Sequence, residues 1–161
     1  MQQNLIESRG GSLNFENASI AASTVANFIN RVNVANKVNY VIDGKFYHAV
    51  VVNNQGFSSG HTALANNQVC VFALWADTDG AYSTTQGPIV DSELVDDGKA
   101  VVPLPDVVST KALIGLVKVK AGVGATFTPS TTNFNATNIN ATFVSTFAMP
   151  VKPFTTTTTA A

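Results

Sequence analysis

The chain has 161 residues, with nine Lys and Arg against ten Asp and Glu, so its net charge is −1. Charged residues make up 12%, about half the usual ~25%, and 18 Thr and 16 Asn fill much of the gap. With 45% hydrophobic residues, a disordered chain is excluded. So are a basic nucleic-acid binder, a membrane-spanning segment and a disulfide framework, since Cys70 is the one cysteine.

A surface of Thr, Asn, Ser and Gly loses less on desolvation than a charged one. It suits a subunit held against neighbours, although a Thr-rich β-surface without partners has the same composition. The charges are also segregated. Residues 77–106 hold seven acids and one base, a local net of −6, and the rest hold eight bases and three acids, a net of +5. Such asymmetry fits docking between copies as well as a solvated acidic loop.

Residues 1–16 are polar and contain Gly10-Gly11, which predicts an extended arm. Ala21, Val25, Phe28, Ile29 and Val32 then fall on one helical face, predicting a helix over 19–32 with Asn17 or Ser19 at its start. From Val38 the spacing changes to two. Val38, Tyr40 and Ile42 alternate with polar neighbours, Asp43-Gly44 suits a two-residue turn, and Lys45 to Val52 returns as a strand. Residues 53–67 predict a loop. The apolar run from Gln68 to Ala76 predicts a strand covered on both faces. Asp77-Thr78-Asp79-Gly80 turns it into a partner strand, Tyr82 to Gln86, closed by Gly87-Pro88.

The acidic stretch 89–110 contains Pro103 and Pro105 and is expected to be extended around them. Leu113 to Ala121 predicts a strand with Val117 and Val119 on one side and Lys118 and Lys120 on the other. Gly122 to Gly124 would turn it into Ala125–Thr128, a third hairpin. A Ser/Thr/Asn loop follows over 129–140. Ala141 to Ala148 predicts the last strand, with Phe143 and Phe147 sharing a face. Pro150 opens a low-complexity tail rich in Thr. The expected fold is mainly β, an antiparallel sandwich or barrel-like domain built from hairpins, with an N-terminal arm and one short helix. The expected division is an arm and helix over 1–36, a β domain over 37–150 and a tail over 151–161.

Little in the chain points to catalysis. His48 and His61 with Cys70 lack the spacing of a zinc site, so neither a metal nor another cofactor is expected. Asp77-Thr78-Asp79-Gly80 shares its opening with a calcium loop, but Tyr82 to Gln86 supply no acid, so a tight turn is expected. No nucleophile elbow, phosphate loop or dinucleotide fingerprint occurs. Gly122-Val123-Gly124 lies between predicted strands rather than before a helix. Asn17-Ala18-Ser19, Asn135-Ala136-Thr137 and Asn140-Ala141-Thr142 match the glycosylation sequon, as chance allows in a chain so rich in Asn and Thr. Met1-Gln2-Gln3-Asn4 has no leader-like character, so sugars are not expected there. Trp75 and Cys70 are expected in the core.

The order of pieces carries a likeness. Asn39 to Tyr47 forms a strand, an Asp-Gly turn and a strand. Val69 to Ala76 followed by Asp79-Gly80 and Thr84-Thr85-Gln86-Gly87 forms the next unit. Leu104-Pro105 leading into Leu113 to Val117, then Ala125 to Thr132 and the Phe143 strand, complete it. This series resembles small β-rich structural proteins of tailed-bacteriophage virions that decorate or cement the capsid. The resemblance covers about residues 37–150. It implies a non-enzymatic protein of the virion surface that stabilises the capsid by binding adjacent major capsid subunits. It also implies a homotrimer; by composition, neither nucleic-acid nor membrane partners are expected. Isolated apolar residues in polar terminal segments are economical anchors, which points to Leu5, Ile6, Leu13 and Phe15 in the arm and Val151 and Phe154 in the tail as contact residues. A second reading is a fibre or spike module that binds a host-surface glycan or receptor through loops 53–67 and 129–140, with Phe57 beside His61 as its aromatic platform.

Overall fold

A computed structural model describes residues 12–24 and 30–147. It is mainly β, with three antiparallel sheets and one short helix. The first sheet joins β1 (Leu13–Asn14), β4 (Val38–Ile42) and β5 (Lys45–Ala49) in the order β1-β4-β5. The second joins β2 (Ile20–Ala22), β3 (Val32–Val34) and β6 (Val52–Gln55) in the order β2-β3-β6. The third and largest is built from β7 (Gln68–Ala76), β8 (Tyr82–Gln86), β9 (Val90–Asp91), β10 (Ala112–Ala121) and β11 (Ile139–Ser145). Its order is β11-β10-β7-β8, with β9 also on β7. All three sheets contribute to one buried cluster, including Val32, Val34, Tyr40, Phe72, Leu74, Ile114 and Val119, as in a sandwich.

The β4–β5 hairpin forms as its sequence requires. Asp43 (φ 49°) and Gly44 (φ 76°) both take the left-handed conformation of a two-residue turn. That turn sets Ile42 opposite Lys45 and Tyr40 opposite Tyr47. The return strand ends at Ala49 rather than Val52, because the chain then crosses to the second sheet as β6.

Strand β7 is buried along nearly its whole length. Cys70, Phe72, Leu74 and Ala76 face the main core. Val69, Val71, Ala73 and Trp75 are buried on the opposite face. The segment between β8 and β10 packs there. Gly87 lies so close to the Pro103 carbonyl, the Pro105 nitrogen and the Val71 carbonyl that a Cβ would stand 3.1 Å from each. Within this segment lies the single described helix, α1 (Ser92–Asp96), capped by Asp91, whose carboxylate accepts the Glu93 N–H at 2.8 Å. The acidic stretch 89–110, for which no helix was expected, therefore contains the helix, ahead of the Pro103–Pro105 segment.

The helix expected over 19–32 does not form where it is described. Residues Ile20–Ala22 and Val32–Val34 are strands paired with each other, and residues 25–29 lie outside the described residues. Ser19 has φ 49° and its N–H binds the Asn17 carboxamide, a turn that precludes a helical start there. Ile20, Val32 and Val34 are β-branched and buried, and tertiary pairing overrides weak helix propensity. The arm expected over 1–16 is part of the sheet from Leu13 onward, because Leu13 and Asn14 pair with Val41 and Tyr40. The boundary expected between 36 and 37 does not separate two cores, since Ala18, Ile20, Val32 and Val34 share one cluster with Val38 and Tyr40.

The third hairpin is also replaced. β10 pairs with β11, Val117 opposite Phe143, while Phe127 forms an isolated bridge with Leu64. The residues after Gly124 are drawn inward because Phe127 and Phe134 join Phe57 and Phe72 in one aromatic cluster, with ring centroids from 4.7 to 6.2 Å apart. The last strand runs over Ile139–Ser145, and Ala148 lies outside the described residues.

Candidate interaction surface

Strand alternation places Leu13 and Phe15, Val41 and Asn39, and Phe46 and His48 on one side of the first sheet. The register makes this a set of rows. Leu13 is opposite Val41, and Val41 is opposite Phe46. The Phe15 N–H donates to the Asn39 carbonyl at 3.0 Å, continuing the β1 alignment one residue past the strand. The Phe15 and Phe46 rings stack with centroids 6.0 Å apart and planes at 25°. The opposite side of the sheet carries Asn14, Tyr40 and Ile42 into the interior. The outward side leaves Phe46 78% and Leu13 43% exposed. Glu16 borders the patch, its carboxylate accepting the Asn39 side-chain amide at 2.9 Å and the Asn39 N–H at 3.2 Å.

A single exposed apolar side chain is ordinary, but a contiguous aliphatic and aromatic patch is the usual mark of a docking surface. Of the expected contact residues, Leu13 and Phe15 meet here. Leu5, Ile6, Val151 and Phe154 lie outside the described residues. Phe46 was not among the expected contacts, yet it is the most exposed member. Its signal was present in the turn: a two-residue Asp43-Gly44 connection forces Val41 opposite Phe46, and Tyr40 already commits the other face to the core.

Other candidate groups are committed to structure. Phe57 is buried, and the His61 ring packs edge-on against Phe72 with centroids 5.4 Å apart. Its Nε2 lies 2.8 Å from the Thr84 hydroxyl. The aromatic platform expected at Phe57 and His61 is thus folded into the interior. Burial pushes the His61 pKa below its ordinary 6.5. Burial raises the Cys70 thiol to about 11, slightly offset by the Gln86 side-chain amide, so it stays protonated and a poor nucleophile at neutral pH. The Asp77 carboxylate accepts the N–H groups of Asp79 and Ala81, each at 3.0 Å, as a tight turn requires. Among the described residues no group of three His, Cys, Asp or Glu side chains could hold a metal ion.

Two hollows stand out among the described residues. One of about 380 Å³ is lined by Lys120, Gly122, Val123, Asn138, Ile139 and Asn140, and Lys120 there pairs with Asp96. The other, of about 270 Å³, is lined by Asn33, Val34, Ala35, Val51, Val52 and Asn53 and has no titratable group. Neither brings together a nucleophile and a base. Compared with protein-family models, with curated proteins and with solved structures, the chain matches none.

Proposed function

We propose that the protein is a non-enzymatic structural component of a virion that decorates and stabilises a phage capsid by docking on adjacent major capsid subunits. The observation that carries this reading is the outward face of the first sheet, where Leu13, Phe15, Val41 and Phe46 form one patch ending in a 78% exposed aromatic ring. Three further features support it. The sparse charge lowers the desolvation cost of close packing. Neither of the two hollows described above joins a nucleophile to a base. The order of the sequence segments quoted above resembles that of capsid-decorating proteins. On this reading the work of the molecule is surface complementarity: a rigid sheet presents apolar groups at fixed spacing, and their burial supplies the affinity.

Replacing Phe46 by Asp tests the proposal. The side chain lies in solvent, so the melting temperature changes little. Occupancy on shells assembled from the major capsid protein of the same virion falls by about tenfold or more, as expected for an anchor residue. Unchanged occupancy with Phe46→Asp removes this face from the mechanism, and no binding by the wild-type chain removes the capsid reading itself.

A further inference from the structure

The largest sheet ends in two edges that are treated differently. At β8 the outward Thr84 N–H donates to the Ser58 hydroxyl at 2.9 Å, and the Ser58 N–H donates to the Thr84 hydroxyl at 2.8 Å. That edge is covered by its own chain. At β11 the Thr146 N–H donates to the Ile114 carbonyl at 3.0 Å, and the Gly122 N–H donates to the Asn138 carbonyl at 2.8 Å. These two bonds fix the alternation: even-numbered residues of β11 turn their backbone groups toward β10. Ala141, Phe143 and Ser145 therefore turn theirs away from it. The described residues offer no partner to those outward groups, apart from Ile139, whose N–H meets the Ala136 carbonyl.

Proteins ordinarily blunt such an edge with charge, proline or a bulge. β11 has none of these. Residues 139–147 contain no charged residue and no proline, and the register with β10 runs without a shift from Ser145 to Ile139.

We infer that β11 is a pairing edge for a second copy of this chain, joined antiparallel about a twofold axis through Thr142. The strand is complementary to itself in that register. Ala141 faces Phe143, so a small side chain lies beside a ring, and each pair exchanges two backbone hydrogen bonds. Ile139 faces Ser145. On the exposed side Thr142 meets Thr142, a favourable cross-strand pair, and Asn140 meets Val144. No charge meets a like charge. The occupant is a second copy because both strands then supply the same unpaired groups at the same spacing, as a twofold interface requires. Seven residues span about 24 Å along a sheet about 10 Å thick. The buried area is below that of standard stable interfaces, so the pair is weak in dilute solution. The inference does not depend on the capsid reading. It differs from the threefold assembly that the resemblance implies, and the two states differ in mass.

Sedimentation equilibrium of the full chain up to about 1 mM, a range suited to a weak interface, tests it. A monomer–dimer equilibrium is expected, with amide exchange at Ala141, Phe143 and Ser145 slowing as concentration rises. Thr142→Glu places two carboxylates on the axis and weakens the dimer by about tenfold, while within one protomer Glu gains Lys118 as its cross-strand neighbour. Thr142→Lys weakens it similarly, and an equimolar mixture of the two variants restores association. Should Thr142→Lys fail to fold beside Lys118, Ala141→Pro replaces it, since the N–H it removes points outward. Four results overturn the inference: a monomer throughout, a three-copy mass, a dimer indifferent to these variants, or association that strengthens when residues 148–161 are removed. The last would show the chain's own terminal segment on the edge.

Discussion

At the scale of single residues, several polar groups among the described residues tie separate strands and loops together. The Tyr40 hydroxyl donates to the Asp77 carbonyl at 2.6 Å, and Tyr82 donates to the Val50 carbonyl at 3.0 Å. Asn14 donates its side-chain amide to the Thr146 carbonyl at 2.7 Å, tying the first sheet to the end of β11. His61 is one group through which pH can act in the acid range. Burial lowers its pKa below 6.5. Above pH 6.5 the ring is neutral in both folded and unfolded chains, and its contribution is fully present. As pH falls below 6.5 the unfolded chain takes up the proton first, so stability declines until the folded-state pKa is passed. His61→Gln keeps a polar partner for Thr84 and cannot titrate. Its melting temperature should decline less than the wild type's between neutral and mildly acidic pH. An equal decline in both proteins would assign the effect to the carboxylates instead.

At the scale of elements, the β10 bulge decides how two sheets approach. Leu113 pairs with Trp75 and Gly115 with Leu74, so Ile114 is an extra residue on β10. The shift returns Ile114, Val117 and Val119 to the core side. Gly115 then sits where Ile20 of β2 presses against the sheet, and a Cβ there would stand 2.8 Å from the Val144 carbonyl as well as against the Ile20 side chain. Backbone cannot yield as a flexible side-chain end can. Gly115→Ala is expected to cost about 1–3 kcal/mol, as overpacking does. Urea unfolding measures it, and a neutral result would show that β2 moves freely over β10. The bulge was not legible in the sequence, because the apolar stretch Leu113 to Val117 has no alternation for a bulge to interrupt. The Asp43-Gly44 hairpin and the twice-covered β7 were legible, since local turn chemistry and an unbroken apolar run determine them. The strands β2 and β3 were not, because three-residue strands owe their existence to distant partners. Phe46 shows the same division within the candidate surface. Its register followed from the turn, but that the described residues leave it largely exposed could be learned only from the assembled sheet.

At the scale of the whole molecule, three groups on different strands share one response to alkali. Tyr40 stands on β4, Cys70 on β7 and Tyr82 on β8. Burial foremost raises all three, Tyr40 and Tyr82 from 10.0 to about 12 and Cys70 from 9.0 to about 11, and Asp77 adds to the rise at Tyr40. Each group is neutral when protonated, so the folded chain keeps its protons to higher pH than the unfolded chain does. Their stabilisation is complete below about pH 9 and is lost as pH rises toward 12. Summed and discounted for partial solvation of Tyr82, the loss by pH 11 is on the order of a few kcal/mol, a large share of a single domain's stability. Because Tyr40 and Cys70 belong to one buried cluster and Tyr82 packs against it, the three sheets should unfold together. Trp75 fluorescence reports the largest sheet, far-ultraviolet circular dichroism reports all three, and their alkaline midpoints should coincide. Midpoints that separate would mean that the first sheet, which carries Phe46, opens independently of the scaffold. The outward face could not then act as a rigid docking surface.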